Sequence, residues 1–306
     1  LRTNPTSTQK IYLLSIISSV MATIRFARLI FEKKLSHYSD SMEAVRRRKE
    51  NLLDVVDFNT NVNSLLKSSD HSYFVDRGDW GYGDVDDEGN FIWGNIGKRN
   101  DETKTIRDEQ VEGYVNQDQE DNDVAFFLID VEKSVIAYEY RRNVGKKAPV
   151  RILKAIFNTY HENEETLRAS TLVDKQDVKI EMEELEKITE FSFVNLHPTN
   201  PDSTNHSKDM DEFLTNGGID NMTIEAEGED GIKLEETPLL NSGLGLAEEG
   251  YGKASVSGIR SDGGEKEIRT DGLPITADME EELSEEQKKR ELMDEIHSAL
   301  DRINER

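Results

Sequence analysis

The order of hydrophobic and polar positions along the chain predicts an alternation of strands and helices. Residues 23–32 (TIRFARLIFE) are rich in β-branched and aromatic side chains, which predicts a strand. Residues 41–56 repeat apolar side chains at helical spacing, and a second short helix is predicted at Leu65 and Leu66. Residues 72–98 predict β structure, because the run FIWGNIG follows a turn signal.

The clearest pattern lies in residues 124–161, where a predicted hairpin leads into a predicted helix. Residues 126–130 form a nearly continuous apolar run, which predicts a strand buried on both faces. Residues 135–140 alternate and predict a strand with one exposed end. Pro149 suits the first turn of a helix, and an apolar stripe follows it. The stripe consists of Ile152, Leu153, Ile156, Phe157 and Tyr160.

The remaining segments are more polar and predict shorter elements. Residues 100–123 predict a loop with a short strand near residues 111–115. Residues 176–190 are acidic and fit either a strand or a helix, residues 199–207 predict a loop, and residues 236–250 predict a short helix. Further strands are predicted at residues 191–196, 222–227, 232–235, 253–259 and 266–269.

The end of the chain predicts an amphipathic helix. Ser284 and Gln287 have the spacing of a capping box, in which each side chain satisfies the backbone of the other. We expect this helix either to dock on the body of the protein or to pair with a second copy. Its apolar face consists of Leu292, Met293, Ile296, Leu300 and Ile303.

Together these elements predict an α+β fold with a mixed or antiparallel sheet and packed helices. We expect two subdomains, residues 23–165 and the acidic residues 166–278, followed by the helix in residues 279–306. Residues 1–22 are interpreted as an upstream extension or a signal-like segment, and the extension is favoured because a good strand follows Met21. No segment is apolar for long enough to predict a membrane span.

Charge divides the chain into two unequal halves. The 306 residues carry a net charge of −25. Residues 1–165 contain 28 acidic and 23 basic side chains, whereas residues 166–306 contain 35 acidic and 15 basic ones. Nucleic acid would be repelled by the second half and tolerated only by the first.

Several common chemistries lack their sequence signatures. The chain has no cysteine, which excludes disulfides, thiolate metal sites and cysteine nucleophiles, and fits the reducing cytoplasm that we expect as its location. Its six histidines show no metal-binding spacing, and we find no phosphate loop, dinucleotide glycine pattern or nucleophile elbow. We therefore predict no metal site, assign no catalytic residue or cofactor, and leave open whether the protein is an enzyme.

One acidic segment contains the carboxylates of two possible metal sites, which we weigh against a simple acidic turn or loop. Its carboxylates are Asp76, Asp79, Asp84, Asp86, Asp87 and Glu88. The order from Asp84 to Gly89 resembles the front of a calcium loop, but the twelfth position is Asn95 instead of the bidentate Glu, which favours an acidic hairpin turn. Asp76, Asp79 and Asp84 could instead hold divalent ions for phosphodiester hydrolysis, although a plain loop is the favoured interpretation.

Two basic clusters lie in the less acidic half. Arg46, Arg47, Arg48 and Lys49 fall on a predicted helix and are interpreted as a solvated face. The second cluster is the candidate for binding RNA or DNA, with Tyr138 and Tyr140 as stacking partners and the helix start at Pro149 as a source of backbone N–H groups. The alternative is that these cations pair with the acids of the second half. The six candidate residues are Arg141, Arg142, Lys146, Lys147, Arg151 and Lys154.

Four segments of the chain resemble uncharacterised proteins of prokaryotes and their phages. These are TIRFARLIF, FIWGNIGKR, VAFFLIDVEKSVIAYEYRRN and GYGKASVSGIRSDGGEKEIRTDGLPI. The relatives are known only as domains of unknown function, and the resemblance covers the chain from Met21 to about Ile275. It implies an intracellular α+β protein, sometimes associated with host–phage conflict, and supplies no catalytic residues.

Three hypotheses follow. The leading one is a binding protein whose basic loop and helix start contact RNA or DNA. The second is a metal-dependent nuclease that uses the acidic segment between Asp76 and Asp87. The third is a structural protein that binds a protein partner or itself through the C-terminal helix.

Overall fold

The protein is an α+β protein built from two antiparallel sheets and seven α-helices within the residues that its computed structural model describes. The described residues are 21–33, 41–108, 113–162, 165–199, 208–233 and 236–304. The strands are β1 (Met21–Lys33), β2 (Asp79–Glu88), β3 (Phe91–Asp108), β4 (Gly113–Asp130), β5 (Val135–Glu139), β6 (Glu165–Thr171), β7 (Leu185–Leu196), β8 (Met222–Glu227), β9 (Lys253–Arg260), β10 (Glu265–Arg269) and β11 (Thr276–Glu280). The helices are α1 (Ser41–Val56), α2 (Val62–Lys67), α3 (Ala148–Tyr160), α4 (Lys175–Glu183), α5 (Lys208–Asn216), α6 (Pro238–Glu248) and α7 (Glu285–Asn304).

The first sheet is organised around the long strand β1. Its strand order is β11-β1-β5-β4-β3-β2, and β6 also pairs with β1. The first residues of β1 pair with β11, and its later residues pair with β6 on the same edge. Strands that follow residue 165 therefore complete this sheet, and the predicted boundary there stays a prediction.

Helices cover both faces of the first sheet. Phe127 and Ile129 of β4 face α1, α2 and α3, whereas Phe126 and Leu128 face α7. The prediction that this run is buried on both faces is confirmed. The strand predicted over residues 135–140 is confirmed as β5, but its predicted exposed end is wrong, because β5 lies between β1 and β4 under both helix layers and all five of its residues are buried.

The C-terminal helix docks on this sheet. Its capping box is confirmed, since the backbone N–H of Ser284 donates to Gln287 Oε1 at 3.0 Å and the N–H of Gln287 donates to Ser284 Oγ at 3.4 Å. Leu292, Ile296 and Ile303 are buried against the sheet. The apolar face that a second copy would need is thus covered by the body of the protein.

The second sheet has the order β10-β9-β7-β8 and its own core. Phe191 and Phe193 of β7 pack against side chains from α4, α5 and α6. The predicted hairpin of β9 and β10 and the predicted strand β8 are confirmed. Gly250, which follows α6, has φ +85°, and a Cβ there would lie 2.7 Å from the Cβ of Arg28 on β1, so this junction of the two sheets requires glycine.

Several predicted elements differ from the structure. Residues 72–77 form a 3₁₀ helix instead of a strand. Most of residues 100–123, predicted as a loop, belongs to the outer part of the β3–β4 ribbon, where the register shows the two strands pairing with each other. Residues 231–233 are irregular instead of a strand, and Tyr160 is 53% exposed because it lies at the end of α3.

Other predictions fall outside the described residues. These include residues 1–20 of the extension predicted over residues 1–22, whose last two residues belong to β1, the tip of the β3–β4 ribbon and most of the loop in residues 199–207. Within the described part of the chain, no helix is both long and apolar enough to cross a membrane.

Candidate nucleic-acid interface

The six predicted cations do not form one surface, because Arg141 is built into the fold. Its Nη2 lies 3.1 Å from Glu139 Oε2, and its Nη1 lies 2.7 Å from Glu281 Oε1. Lys288 of α7 also reaches Glu139, at 2.7 Å. We call Glu139, Arg141, Glu281 and Lys288 the Glu139 cluster.

The Glu139 cluster joins the end of β5 to α7. Glu139 is 1% exposed, and its Oε2 also accepts a hydrogen bond of 3.3 Å from the backbone N–H of Phe126. A carboxylate buried to this degree is stable as an anion only with charged and hydrogen-bonded partners, and Arg141 and Lys288 supply them. The alternative interpretation is that acids of residues 166–306 pair with the predicted cations. It holds for Arg141, because Glu281 is one of these acids.

Three of the remaining cations line one face of α3. Lys147 caps the helix, and Arg151 and Lys154 follow at spacings of four and three residues, so all three lie within about 60° around the helix axis. Lys147 and Arg151 are exposed, and Lys154 is half-buried. We call Lys147, Arg151 and Lys154 the basic ridge.

The charges of the basic ridge are not matched by the protein's own carboxylates. Among the described residues, no ion pair forms at Lys147, Arg151 or Lys154, nor at the exposed loop residues Arg142 and Lys146. Arg151 instead lies over the ring of Tyr73, 5.6 Å from its centroid. Four of the six predicted cations, Arg142, Lys146, Lys147 and Arg151, are therefore exposed to solvent, and Lys154 is half-buried.

The loop before α3 is held in place by backbone contacts. Gly145 adopts φ +98°, which an L side chain rarely does, and its N–H donates to the carbonyl of Arg141 at 2.8 Å. The Tyr138 hydroxyl donates to the carbonyl of Lys146 at 3.0 Å. Lys146 and Lys147 are thus placed by a folded loop at the start of α3.

The two tyrosines are not the stacking platform that was predicted. Tyr138 is 3% exposed, because it belongs to the core under α3, so the prediction that it stacks on bases is wrong. Its burial raises the pKa of its hydroxyl to about 12. Tyr140 is half-buried, with the guanidinium of Arg25 5.7 Å from its ring centroid.

His71 adjoins the basic ridge, which the sequence pattern did not indicate. Its ring stacks on Phe74 at 6.4 Å, and Arg151 contacts the same aromatic group. Burial lowers the pKa of His71, and the charges of Lys154 and Arg151 lower it further. The neutral form of His71 is thus favoured beside the ridge.

The comparison with protein families covers most of the chain. The domain of unknown function DUF4747 matches residues 36–297. The chain belongs to this family. A comparison with curated proteins finds no match. The predicted resemblance to a domain of unknown function is confirmed, and the DUF4747 match spans the Glu139 cluster and the basic ridge.

The other basic cluster, on α1, is only partly a solvated face. Arg46 is exposed beside Glu50, as predicted. Lys49 pairs with Asp87 and donates to the carbonyl of Gly89 at 2.7 Å. The prediction is wrong for Arg48, which is 3% exposed and lies 5.2 Å from the ring of Phe31, because α1 turns this side toward the sheet.

The acidic segment forms a hairpin in which side chains are already engaged. β2 ends at Glu88 and β3 begins at Phe91, which confirms the acidic hairpin turn. Asp84 accepts a hydrogen bond from Asn95 at 3.1 Å, and Glu88 pairs with Lys289 at 2.7 Å. In the part of the chain that is described, no three His, Asp or Glu side chains are grouped to hold a metal ion. The metal-dependent nuclease stays a prediction.

Proposed function

We propose that this DUF4747 protein binds the phosphate backbone of RNA or DNA through the basic ridge, with Arg142 and Lys146 as flanking contacts. The observation that carries this proposal is the contrast in charge matching within one short segment. Arg141 has two carboxylate partners, whereas five nearby cations have none among the described residues.

The charge of the whole protein makes that contrast informative. The chain has 63 acidic side chains and 38 basic ones, so partners for exposed cations are abundant. Like charges four residues apart on a helix are destabilising by about 0.2–0.5 kcal/mol, and Lys147 and Arg151 have this spacing. A bound polyanion would offset this repulsion, and its condensed counterions would be released.

The dimensions of the ridge suit a nucleic-acid backbone. Lys147 and Lys154 are separated by seven residues, or about 10 Å along the axis of α3. Neighbouring phosphates of one strand are further apart than their rise of about 3.4 Å along the helix axis, because they also wind around it, so a ridge of this length can contact more than one phosphate.

The geometry favours contacts to the backbone over reading of bases. Tyr138 is buried and Tyr140 is half-buried beside Arg25, so neither offers an open ring for stacking. Phosphate contacts carry no sequence information by themselves. We therefore expect affinities that depend weakly on sequence.

Equilibrium binding to a ridge variant tests the proposal. Lys147→Gln, Arg151→Gln and Lys154→Gln are combined and compared with a control of equal charge change, Arg46→Gln, Lys179→Gln and Lys233→Gln. Fluorescence anisotropy is measured with labelled DNA and RNA at about 0.1 M salt, where the Debye length of about 10 Å screens the distant acidic surface.

We expect the ridge variant to bind at least tenfold more weakly, which is about 1.4 kcal/mol, and the control to bind within about twofold of the wild type. Equal affinities for the ridge variant and the wild type would overturn the proposal. Roles in host–phage conflict and in self-association stay predictions.

A further inference from the structure

A group of three aromatic rings lies beside the basic ridge. The His71 ring is tilted by 33° from the Tyr73 ring, with 6.0 Å between their centroids, and by 4° from the Phe74 ring at 6.4 Å. The rings of Tyr73 and Phe74 stack at 4.6 Å. The guanidinium of Arg151 lies 5.6 Å from the Tyr73 centroid and 6.0 Å from the Phe74 centroid, so the aromatic group shares Arg151 with the ridge.

Local hydrogen bonds hold the aromatic group in place. The backbone N–H of His71 donates to Ser69 Oγ at 3.1 Å, and the carbonyl of His71 accepts from the N–H of Phe74 at 3.0 Å. The indole N–H of Trp80 donates to the carbonyl of Phe74 at 3.0 Å, and its ring packs edge-on against Phe74 at 5.7 Å. Both backbone groups of His71 are thus engaged within the protein itself.

His71 and Tyr73 form the surface of this group. Phe74 and Trp80 are buried, whereas His71 and Tyr73 are partly exposed. Burial lowers the pKa of His71, and the nearby positive charges lower it further, which favours an uncharged imidazole. An uncharged imidazole does not pair with a phosphate, but it stacks on a nucleobase as other aromatic side chains do.

We propose that the ring of His71, supported by Tyr73 and Phe74, stacks on an unpaired base of a nucleic acid whose phosphates contact the ridge, so that the protein prefers single strands. This inference rests on the proposed function, because Arg151 belongs to both parts of the site. Bases inside a duplex are stacked on their neighbours and do not reach an outside ring. Stacking accepts every base, because each has a π face, which agrees with affinities that depend weakly on sequence.

The test compares two labelled single strands that have the same number of phosphates. One strand has all its bases, and in the other several nucleotides are abasic, so only the stacking contribution differs. We expect the wild-type protein to bind the complete strand about tenfold more tightly, the size of one stacked base. His71→Ala should bind the two strands with similar affinities.

Two further variants separate stacking from other roles of His71. His71→Phe keeps an aromatic ring without its nitrogens and should retain the wild-type preference. His297→Ala removes an exposed histidine from α7, on the opposite face of the first sheet, and should also retain it. Thermal unfolding of each variant shows whether its fold is intact, and the comparison of strands on the wild type needs no variant.

Equal binding of the two strands by the wild type would overturn the inference and leave the proposed function standing, because the ridge would then contact phosphates alone. A preference retained in His71→Ala would also overturn it. If His71→Phe loses the preference as fully as His71→Ala, the imidazole nitrogens are responsible and the stacking role is wrong. If neither strand binds to the wild type, the proposed function fails and the inference fails with it.

Discussion

The Glu139 cluster and the basic ridge lie on neighbouring parts of the chain. They differ in whether their cations pair with the protein's own carboxylates. In the cluster, Arg141 and Lys288 surround a carboxylate that is 1% exposed. On the ridge, Lys147 and Arg151 are exposed with no carboxylate partner among the described residues. The difference separates cations that hold the fold together from cations that have no such structural partner, and the proposed ligand binding is assigned to the second group.

The largest effect is expected from breaking the Glu139 cluster. Glu139→Gln leaves Arg141 and Lys288 partly buried without their shared anion, and we expect the free energy of unfolding to fall by about 3–5 kcal/mol. Urea denaturation measures this change. Glu281→Gln is the matched control, because Glu281 is partly exposed, and it should cost no more than about 1 kcal/mol.

If Glu139→Gln lowers the free energy of unfolding by less than about 1 kcal/mol, the Glu139 cluster is not a structural element of the fold, because it would then contribute no more than an ordinary surface ion pair.

Glu248, the last residue of α6, is a mostly buried acid whose charge is only partly balanced by a cation. Burial raises the pKa of Glu248 from 4.5 to about 7, while Lys175, 3.9 Å away, lowers it only in part. At about 1.4 kcal/mol per unit of pKa, this rise corresponds to roughly 3 kcal/mol. Because the pKa is raised on folding, the stability from Glu248 is complete below about pH 4.5 and is lost as the pH rises through about 7.

Glu248→Gln should therefore stabilise the protein at pH 8 relative to the wild type and give no gain at pH 4.5. Denaturation of both proteins across this range checks the expectation. An equal difference at both pH values would mean that Glu248 is not protonated in the folded protein near neutral pH.

The smallest effect on stability is expected for the basic ridge. The combined change of Lys147, Arg151 and Lys154 to Gln removes a cation–π contact worth about 0.5–1 kcal/mol at an exposed site and also relieves repulsion between like charges. The free energy of unfolding should change by less than about 1 kcal/mol. If the free energy of unfolding falls as much as it does for Glu139→Gln, the ridge cations stabilise the fold and do not differ in role from the Glu139 cluster.

Local signals in the sequence were enough for much of the fold. The apolar spacing predicted α1 with its observed bounds, and the capping box at Ser284 located the start of α7. The apolar run before Asp130 predicted a strand covered on both faces. These features depend on residues that are close in sequence, where helix and strand periods are directly visible.

Non-local packing explains what the sequence did not predict. The outer β3–β4 ribbon is mostly polar, and its few apolar residues, Ile106, Tyr114 and Val115, do not form the alternating pattern that would mark a strand. In the sequence, Arg48 looks like the other basic residues of α1, and only the packing of α1 on the sheet shows that it is buried. In the candidate site, Arg141 pairs with Glu281, which lies in the turn between β11 and α7 and is 140 residues away in sequence.

The dependence of nucleic-acid affinity on salt tests the central claim most directly. Each cation that neutralises a phosphate contributes about 0.7–0.9 to the slope of log affinity against log salt. The slope of the ridge variant should therefore be less steep than that of the wild type by about two to three, whereas the control variant of Arg46, Lys179 and Lys233 should keep the wild-type slope. Identical slopes for the wild type and the ridge variant would contradict the account, because the exposed cations of α3 would then contact no phosphate.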